Sequence, residues 1–167
     1  MFEKREGEIA LPDDPADVAA DGHIVFIGRI VSPWKQRSEC PKNMRQARET
    51  EQSAWVNIDA QFRPGLTGLS NASHVILLSW LHHAPRNLIV QKPRHATEQK
   101  GVFALRSPAR PNPLGLHVAK LLSLDIETGR LEIDAIDVLD GTPLIDIKPY
   151  FASIDSFPDA SITGRDA

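Results

Sequence analysis

Three prolines within six residues decide what the middle of this chain can become. The stretch from 101 to 115 reads GVFALRSPARPNPLG and carries Pro108, Pro111 and Pro113. Proline fixes φ and has no backbone N–H to donate, so residues 107–113 can be neither a helix interior nor a central strand. The residue before each proline is pushed towards extended conformations, which restrains Ser107, Arg110 and Asn112. The pattern predicts a stiff, irregular loop that holds Arg106, Arg110 and Asn112 at set angles. Stiff loops with charged and amide side chains are common binding elements.

Around that loop the apolar residues fall into short runs. Residues 24–31 (IVFIGRIV) predict a first strand and residues 55–58 a second. Residues 74–82 (HVILLSWLH) are nearly all apolar, as in a strand buried on both faces. Residues 88–91 and 144–147 read as two more short strands. Residues 116–124 and 130–139 flank Glu127-Thr128-Gly129, a hairpin turn signal. In the second arm the apolar phase slips near Ala135, which predicts a β-bulge, a feature often found beside sites. Residues 32–49 (SPWKQRSECPKNMRQARE) form a long basic loop, and residues 66–69 fit a short helical turn. No segment carries a long amphipathic helix. The expected fold is mainly β: a small single-domain β-barrel with long loops and few short helices. Residues 23–158 are expected to form the barrel, residues 1–22 an acidic flexible arm, and residues 159–167 a tail.

Charge is unevenly spread. The 167 residues sum to −3, yet residues 24–124 carry fourteen bases and five acids. A basic middle between acidic ends permits phosphate binding on one face. Cys40 is the only cysteine, so an internal disulfide is excluded and a cytoplasmic setting is expected. The N-terminal residues show no apolar run of signal-peptide type, and no run is long enough to cross a membrane. No dinucleotide fingerprint, P-loop, nucleophile elbow or zinc motif is present. His82 and His83 are neighbours, which on a strand would face opposite ways; no metal is expected. Asp134, Asp137, Asp140 and Asp146 cluster within thirteen residues, followed by Lys148. Asp140, before Gly-Thr-Pro, is explained as a turn former. Asp137, just past the expected bulge, is placed to accept hydrogen bonds from a ribose or an amine.

The segments IGRIVSPW (27–34), SHVILLSWLHH (73–83), GVFALRSPARPNPLGL (101–116) and LDGTPLIDIKPY (139–150) resemble, in order and spacing, the motifs of the TsaA/TrmO family. The resemblance implies a small β-barrel that binds S-adenosylmethionine without a Rossmann domain, usually as a homodimer. It implies a methyltransferase whose substrate is tRNA, acting on the exocyclic nitrogen of threonylcarbamoyl-adenosine beside the anticodon. Carried over by position, the cofactor contacts fall at Met44, Arg45 and Gln46, at His82 and His83, at Arg106 and Leu116, and at Asp134, Ala135, Ile136 and Asp137. On that reading Leu116 and Ile136 cover the adenine ring. Asp137 holds the ribose hydroxyls or the methionine amine, and Arg45 or Arg106 pairs with the methionine carboxylate. The amide-like acceptor nitrogen must lose its proton. Asn112, clamped between two prolines, Asp137 and Asp140 are the candidates to receive it. Arg110 or Lys148 would meet the threonyl carboxylate or a tRNA phosphate.

The sequence departs from the family pattern at Leu105, where Thr is usual, and at His117, where Ser is usual. Its acidic lead-in is longer than the family's usual one, and longer relatives carry an additional C-terminal segment beyond these blocks. A second reading stands beside the first: a non-enzymatic S-adenosylmethionine sensor, or a methyltransferase for another small acceptor.

Overall fold

The computed structural model describes residues 5–17, 22–92 and 98–162. Within them the strands are β1 (Ile9–Ala10), β2 (Gly28–Val31), β3 (Ala54–Ile58), β4 (His74–Trp80), β5 (Leu88–Gln91), β6 (Lys100–Gly101), β7 (Leu114–Asp125), β8 (Arg130–Ile133) and β9 (Thr142–Pro149). Two short helices are α1 (Met44–Glu49) and α2 (Ala152–Asp155), with 3-10 turns at Ala60–Leu66, Leu69–Asn71 and Val102–Ala104. Six strands close a barrel in the order β2-β3-β8-β7-β4-β9. The expected mainly β barrel with few short helices is the fold. Strands β1, β5 and β6 form a separate three-stranded sheet.

Alternation drives the barrel. Ile30, Val56, Val75, Leu77, Leu131, Ile133 and Leu144 point inwards from five of the walls and are fully buried. Each contributes about 1.5–3 kcal/mol relative to exposure. Strand β4 departs from its expected burial on both faces. Val75, Leu77 and Ser79 are buried, whereas Ile76, Leu78 and Trp80 are only partly covered. A single-layer barrel has one dry face, so a continuous apolar run still alternates between core and outer wall.

The expected first strand is shorter than its apolar run. Ile24, Val25 and Phe26 are exposed and lie before β2. Among the described residues no partner strand reaches them, because β9 pairs with β2 only through Leu144 and β3 only through Ile58. The lead-in read as a flexible arm supplies β1, which pairs with β5, and its Glu8 is buried against Arg5.

The hairpin forms as expected. Asp125 accepts from the Glu127 and Thr128 amides, and Gly129 takes φ +71°, a conformation that favours glycine at the end of such a turn. The expected bulge near Ala135 is not there. Strand β8 stops at Ile133, and the register shift lies on its partner, between Leu121 and Ser123 of β7. The slipping apolar phase marks the chain leaving the sheet. Residues 134–141 cross the barrel end, and Ala135, Ile136 and Val138 plug it.

Registers place the long connections together. Val31 lies opposite Trp55, Trp80 opposite Leu114, Ala54 opposite Ile133, and Ile30 opposite Thr142. The basic connection 32–53, the proline-rich connection 81–113 and the loop 134–141 therefore all leave the same end of the barrel.

Candidate functional site

At that end one strand edge is open. Strand β7 pairs with β4 from Leu114 to Lys120, but β8 joins it only from Leu121. The edge facing away from β4 between those points carries the carbonyls of Leu116 and Val118. Arg106 Nη2 donates to Leu116 O at 3.1 Å, and Arg48 Nη2 donates to Val118 O at 2.6 Å. The Lys120 amide donates to Asp134 Oδ1 at 2.8 Å, and the Asp134 amide to Lys120 O at 3.1 Å. In a strand the N–H of a residue points to the same edge as its carbonyl, so the Leu116 and Val118 amides face this edge too. Two guanidinium groups thus guard a stretch of strand that no other strand of the described residues covers.

Helix α1 is moored to the same edge. Asn43 caps it, its Oδ1 accepting from the Gln46 amide at 2.9 Å. Arg48 Nε donates to Asp134 Oδ2 at 2.9 Å, so one arginine joins helix, strand and loop. This brings the helix bearing Met44, Arg45 and Gln46 to the edge holding Leu116 and the loop holding Asp134 and Asp137. Met44 packs on the core, Gln46 Oε1 accepts the Lys42 amide, and Arg45 is exposed at 3.8 Å from Glu49. Leu116 turns outwards and is half-exposed.

Inside the barrel, below this edge, lies a polar chain. Asp137 Oδ1 is 2.7 Å from His117 Nδ1, and His117 Nε2 is 2.9 Å from Ser79 Oγ. Ser79 and His117 are buried, and the Asp137 side chain is 17% exposed. Cys40 is half-buried nearby. Burial first, and then the Asp137 charge, push its thiol up to about 11.

Several expected site residues are engaged elsewhere. Ile136 cannot cover a bound ring with its side chain, which is 1% exposed and packs in the core; its carbonyl accepts Trp34 Nε1 at 2.7 Å. Ala135 is likewise buried, leaving only its backbone for a ligand. Arg110 turns back on its own loop, donating to the carbonyls of Ser107, Val102 and Leu105. It stiffens the proline segment and is not held out towards a substrate. Asp140 Oδ2 sits 2.7 Å from Lys35 Nζ, and its Oδ1 accepts the Ser32 amide at 3.0 Å. The Lys35 hydrogen bond leads the contributions that hold Asp140 below the usual carboxylate range. Lys148 pairs with Asp146 at 2.7 Å on the outer wall, opposite Ile76 and away from the loop end.

Asn112 stays in an irregular loop, as the prolines require. Arg86 grips that loop through Pro111 O at 2.7 Å, reaches Asn112 Oδ1 at 3.5 Å, and lies over Trp80 at 5.3 Å. His82 and His83 follow β4 at the loop end, exposed, with ring centroids 3.8 Å apart. Partial burial, and next the neighbouring His83, hold the His82 imidazole below its usual value. Among the described residues no group of acids, histidines or cysteine has the arrangement of a metal site. No helix of the described residues is long and apolar enough to cross a membrane. A wide depression of about 550 Å3, lined by Asn57, Asp59, Arg63, Thr128 and Arg130, lies at the opposite end of the barrel and includes none of these residues.

Sequence reading missed Arg48, Arg86 and Ser79. Only the inward phase of Ser79, between Leu77 and the end of β4, hinted at a buried polar contact.

Known proteins share this arrangement of sequence and fold. A protein of Archaeoglobus fulgidus named as a probable S-adenosyl-L-methionine-binding protein is 42% identical over 137 residues, covering 81% of this chain and 36% of that protein. A mouse protein named tRNA (adenine(37)-N6)-methyltransferase is 43% identical over 100 residues, covering 58% of this chain and 23% of that protein. The crystal structure of TrmO from Pseudomonas aeruginosa superposes with a TM-score of 0.69 at 31% identity, covering 88% of this chain and 64% of that one. The chain spans less than two thirds of the length of each of these relatives. The family model of the tRNA-methyltransferase O N-terminal domain matches residues 29–156, and the chain belongs to that family.

Proposed function

We propose that this protein is an S-adenosylmethionine-dependent methyltransferase acting on tRNA, at the exocyclic nitrogen of threonylcarbamoyl-adenosine beside the anticodon. The observation that carries the reading is the open edge of β7 at Leu116 and Val118, flanked by Arg106, α1 and the loop 134–141. Its donor set fits the cofactor. A strand edge offers hydrogen bonds to the polar rim of an adenine, and exposed Leu116 covers its face. Asp134, whose two oxygens already accept from Arg48 and the Lys120 amide, keeps spare lone pairs for hydroxyls; Arg106 and Arg45 suit a carboxylate. The backbone of Ala135 and Ile136 lines the same loop. His82 and His83 close the loop end of β4.

S-adenosylmethionine, when bound, supplies a methyl group on a sulfonium. The chain supplies position and a proton acceptor. Asp137 is favoured over Asp140 because its Oδ2 has no hydrogen-bond partner among the described residues, whereas both Asp140 oxygens are taken. In this reading Asp137 Oδ2 accepts the hydrogen bond from the acceptor N–H and receives its proton as nitrogen gains the methyl. Asn112, held between two prolines in a loop at the same end of the barrel, is the second candidate to hold the acceptor. The target lies in a single-stranded loop, where a base can be splayed out and read. Exposed Leu114 beside the partly covered Leu78 and Trp80 forms an outer apolar patch that suits pairing with a second copy. A lone cysteine suits the reducing cytoplasm.

The test uses purified protein, tRNA carrying threonylcarbamoyl-adenosine, and donor labelled on the methyl. Nucleoside mass spectrometry is expected to find the label on that nucleoside. Tight donor binding with no label on any nucleoside would leave a binding module and overturn the assignment. Sedimentation of the same sample reads the oligomeric state.

A further inference from the structure

His117 is a titratable side chain among the inward-facing residues of β7, between buried Gly115 and Ala119. Both of its ring nitrogens are engaged, by Asp137 at 2.7 Å and by Ser79 at 2.9 Å. A carboxylate only accepts, so Nδ1 carries a proton and donates it to Asp137; in the neutral ring Nε2 accepts the Ser79 hydroxyl. The order Ser–His–Asp matches that of a nucleophilic triad, but the exposed end is reversed. Ser79 is 0% exposed and meets no substrate, while the Asp137 side chain reaches the surface. The fold reserves space for this chain. Gly115 lies opposite Ser79, and a Cβ on it would come within 2.3 Å of Ser79 Oγ and 2.5 Å of His117 Nε2.

We propose that His117 is a positioning residue for the methyl transfer. Anchored by Ser79, it fixes Asp137 Oδ1 and so presents Oδ2 to the acceptor N–H. The inference rests on the reading of Asp137 given above. The terminal torsion of an aspartate is broad, so a carboxylate on an irregular loop has no fixed direction of its own. His117 supplies that direction from the rigid barrel wall.

The experiment compares Asp137→Asn, His117→Ala, His117→Asn and Ser79→Ala in the full chain. It reads turnover on tRNA, KM for tRNA, and donor affinity by calorimetry. Asp137→Asn is expected to lower kcat by about a hundredfold. His117→Ala is expected to lower kcat by about tenfold or more, with donor affinity and KM within about threefold of the parent. His117→Asn, whose amide N–H can occupy the place of Nδ1–H, is expected to restore part of that loss. Nitrogen NMR of the parent protein is expected to show Nδ1 protonated. Parent-level turnover in His117→Ala, a loss explained wholly by donor affinity, or the opposite tautomer would each overturn the proposal. Where His117→Ala does not fold, Ser79→Ala decides, since it removes one oxygen. A several-fold fall in kcat supports the proposal, and unchanged kcat overturns it. Full turnover in Asp137→Asn would sink the reading of Asp137 and this inference with it. Loss in Asp137→Asn beside full turnover in His117→Ala would remove the histidine alone.

Discussion

Asp140 and Cys40 both lie at the loop end of the barrel, and their surroundings move them in opposite senses. Lys35 and the Ser32 amide favour the Asp140 carboxylate, so its folded pKa lies below the ordinary 3.8. A lowered acid contributes stability above its unfolded value and loses it as pH falls through the folded value. Asp140→Asn is therefore expected to cost about 1 kcal/mol at pH 7, about 3 °C in Tm for a chain of this size. The gap should narrow as pH falls below the ordinary 3.8 and close once the lowered carboxyl of the parent is protonated as well. Melting curves across that range check it; a gap that persists in acid would place the loss in packing. Burial and the Asp137 charge raise the Cys40 thiol to about 11, so at pH 8 roughly a thousandth of it is thiolate. Alkylation at pH 8 should be slow against a free thiol, and Asp137→Asn should speed it. Of these residues the sequence made Asp140 legible as a turn former. Asp137 Oδ1 meets His117 at 2.7 Å, and His117 stands out in the sequence only as a departure from a motif. Twenty positions separate the two, and only the crossing of loop 134–141 over the end of β7 brings them together.

The proline segment and the edge of β7 were legible to different degrees. Three prolines exclude regular structure by local geometry, and residues 107–113 are irregular as that geometry requires. What fixes the loop is non-local. Arg110 closes on three carbonyls of the loop and Arg86 ties Pro111 from a distance. Replacing Arg110 by Ala should leave the barrel folded and raise hydrogen exchange over residues 102–112, since those carbonyls lose their donor. Turnover should fall with it if Asn112 helps hold the site; Asn112→Ala should lower turnover more than donor affinity. Strand β1 was invisible in the sequence because two residues carry no period. Its pairing is set by the free edge of β5. The short β2 shows the converse: β-branched residues do not make a strand where no partner strand reaches them.

Over the whole molecule, topology turns a mildly acidic chain into one with a basic end. The hairpin turn and the end of β3 face one way, and the connections 32–53, 81–113 and 134–141 face the other. The basic middle seen in the sequence thus becomes a location. Arg37 and Lys42 lie exposed in the first connection, beside α1, outside the donor site proposed above. Phosphates drawn to that end would displace condensed counterions, so tRNA affinity should fall steeply as salt rises. Arg37→Ser with Lys42→Ser should weaken tRNA binding at low salt and reduce the slope of log K against log salt by about 0.7 for each phosphate left without its cation. Donor affinity should not change, because neither residue lies on the β7 edge. Changing Arg63 and Arg130, at the opposite end, should leave that slope as it was. A slope that responds equally to both pairs would mean that tRNA reads the net field of the barrel. A slope that responds only to Arg37 and Lys42 would locate the substrate at the end where Asp137 and Asn112 lie.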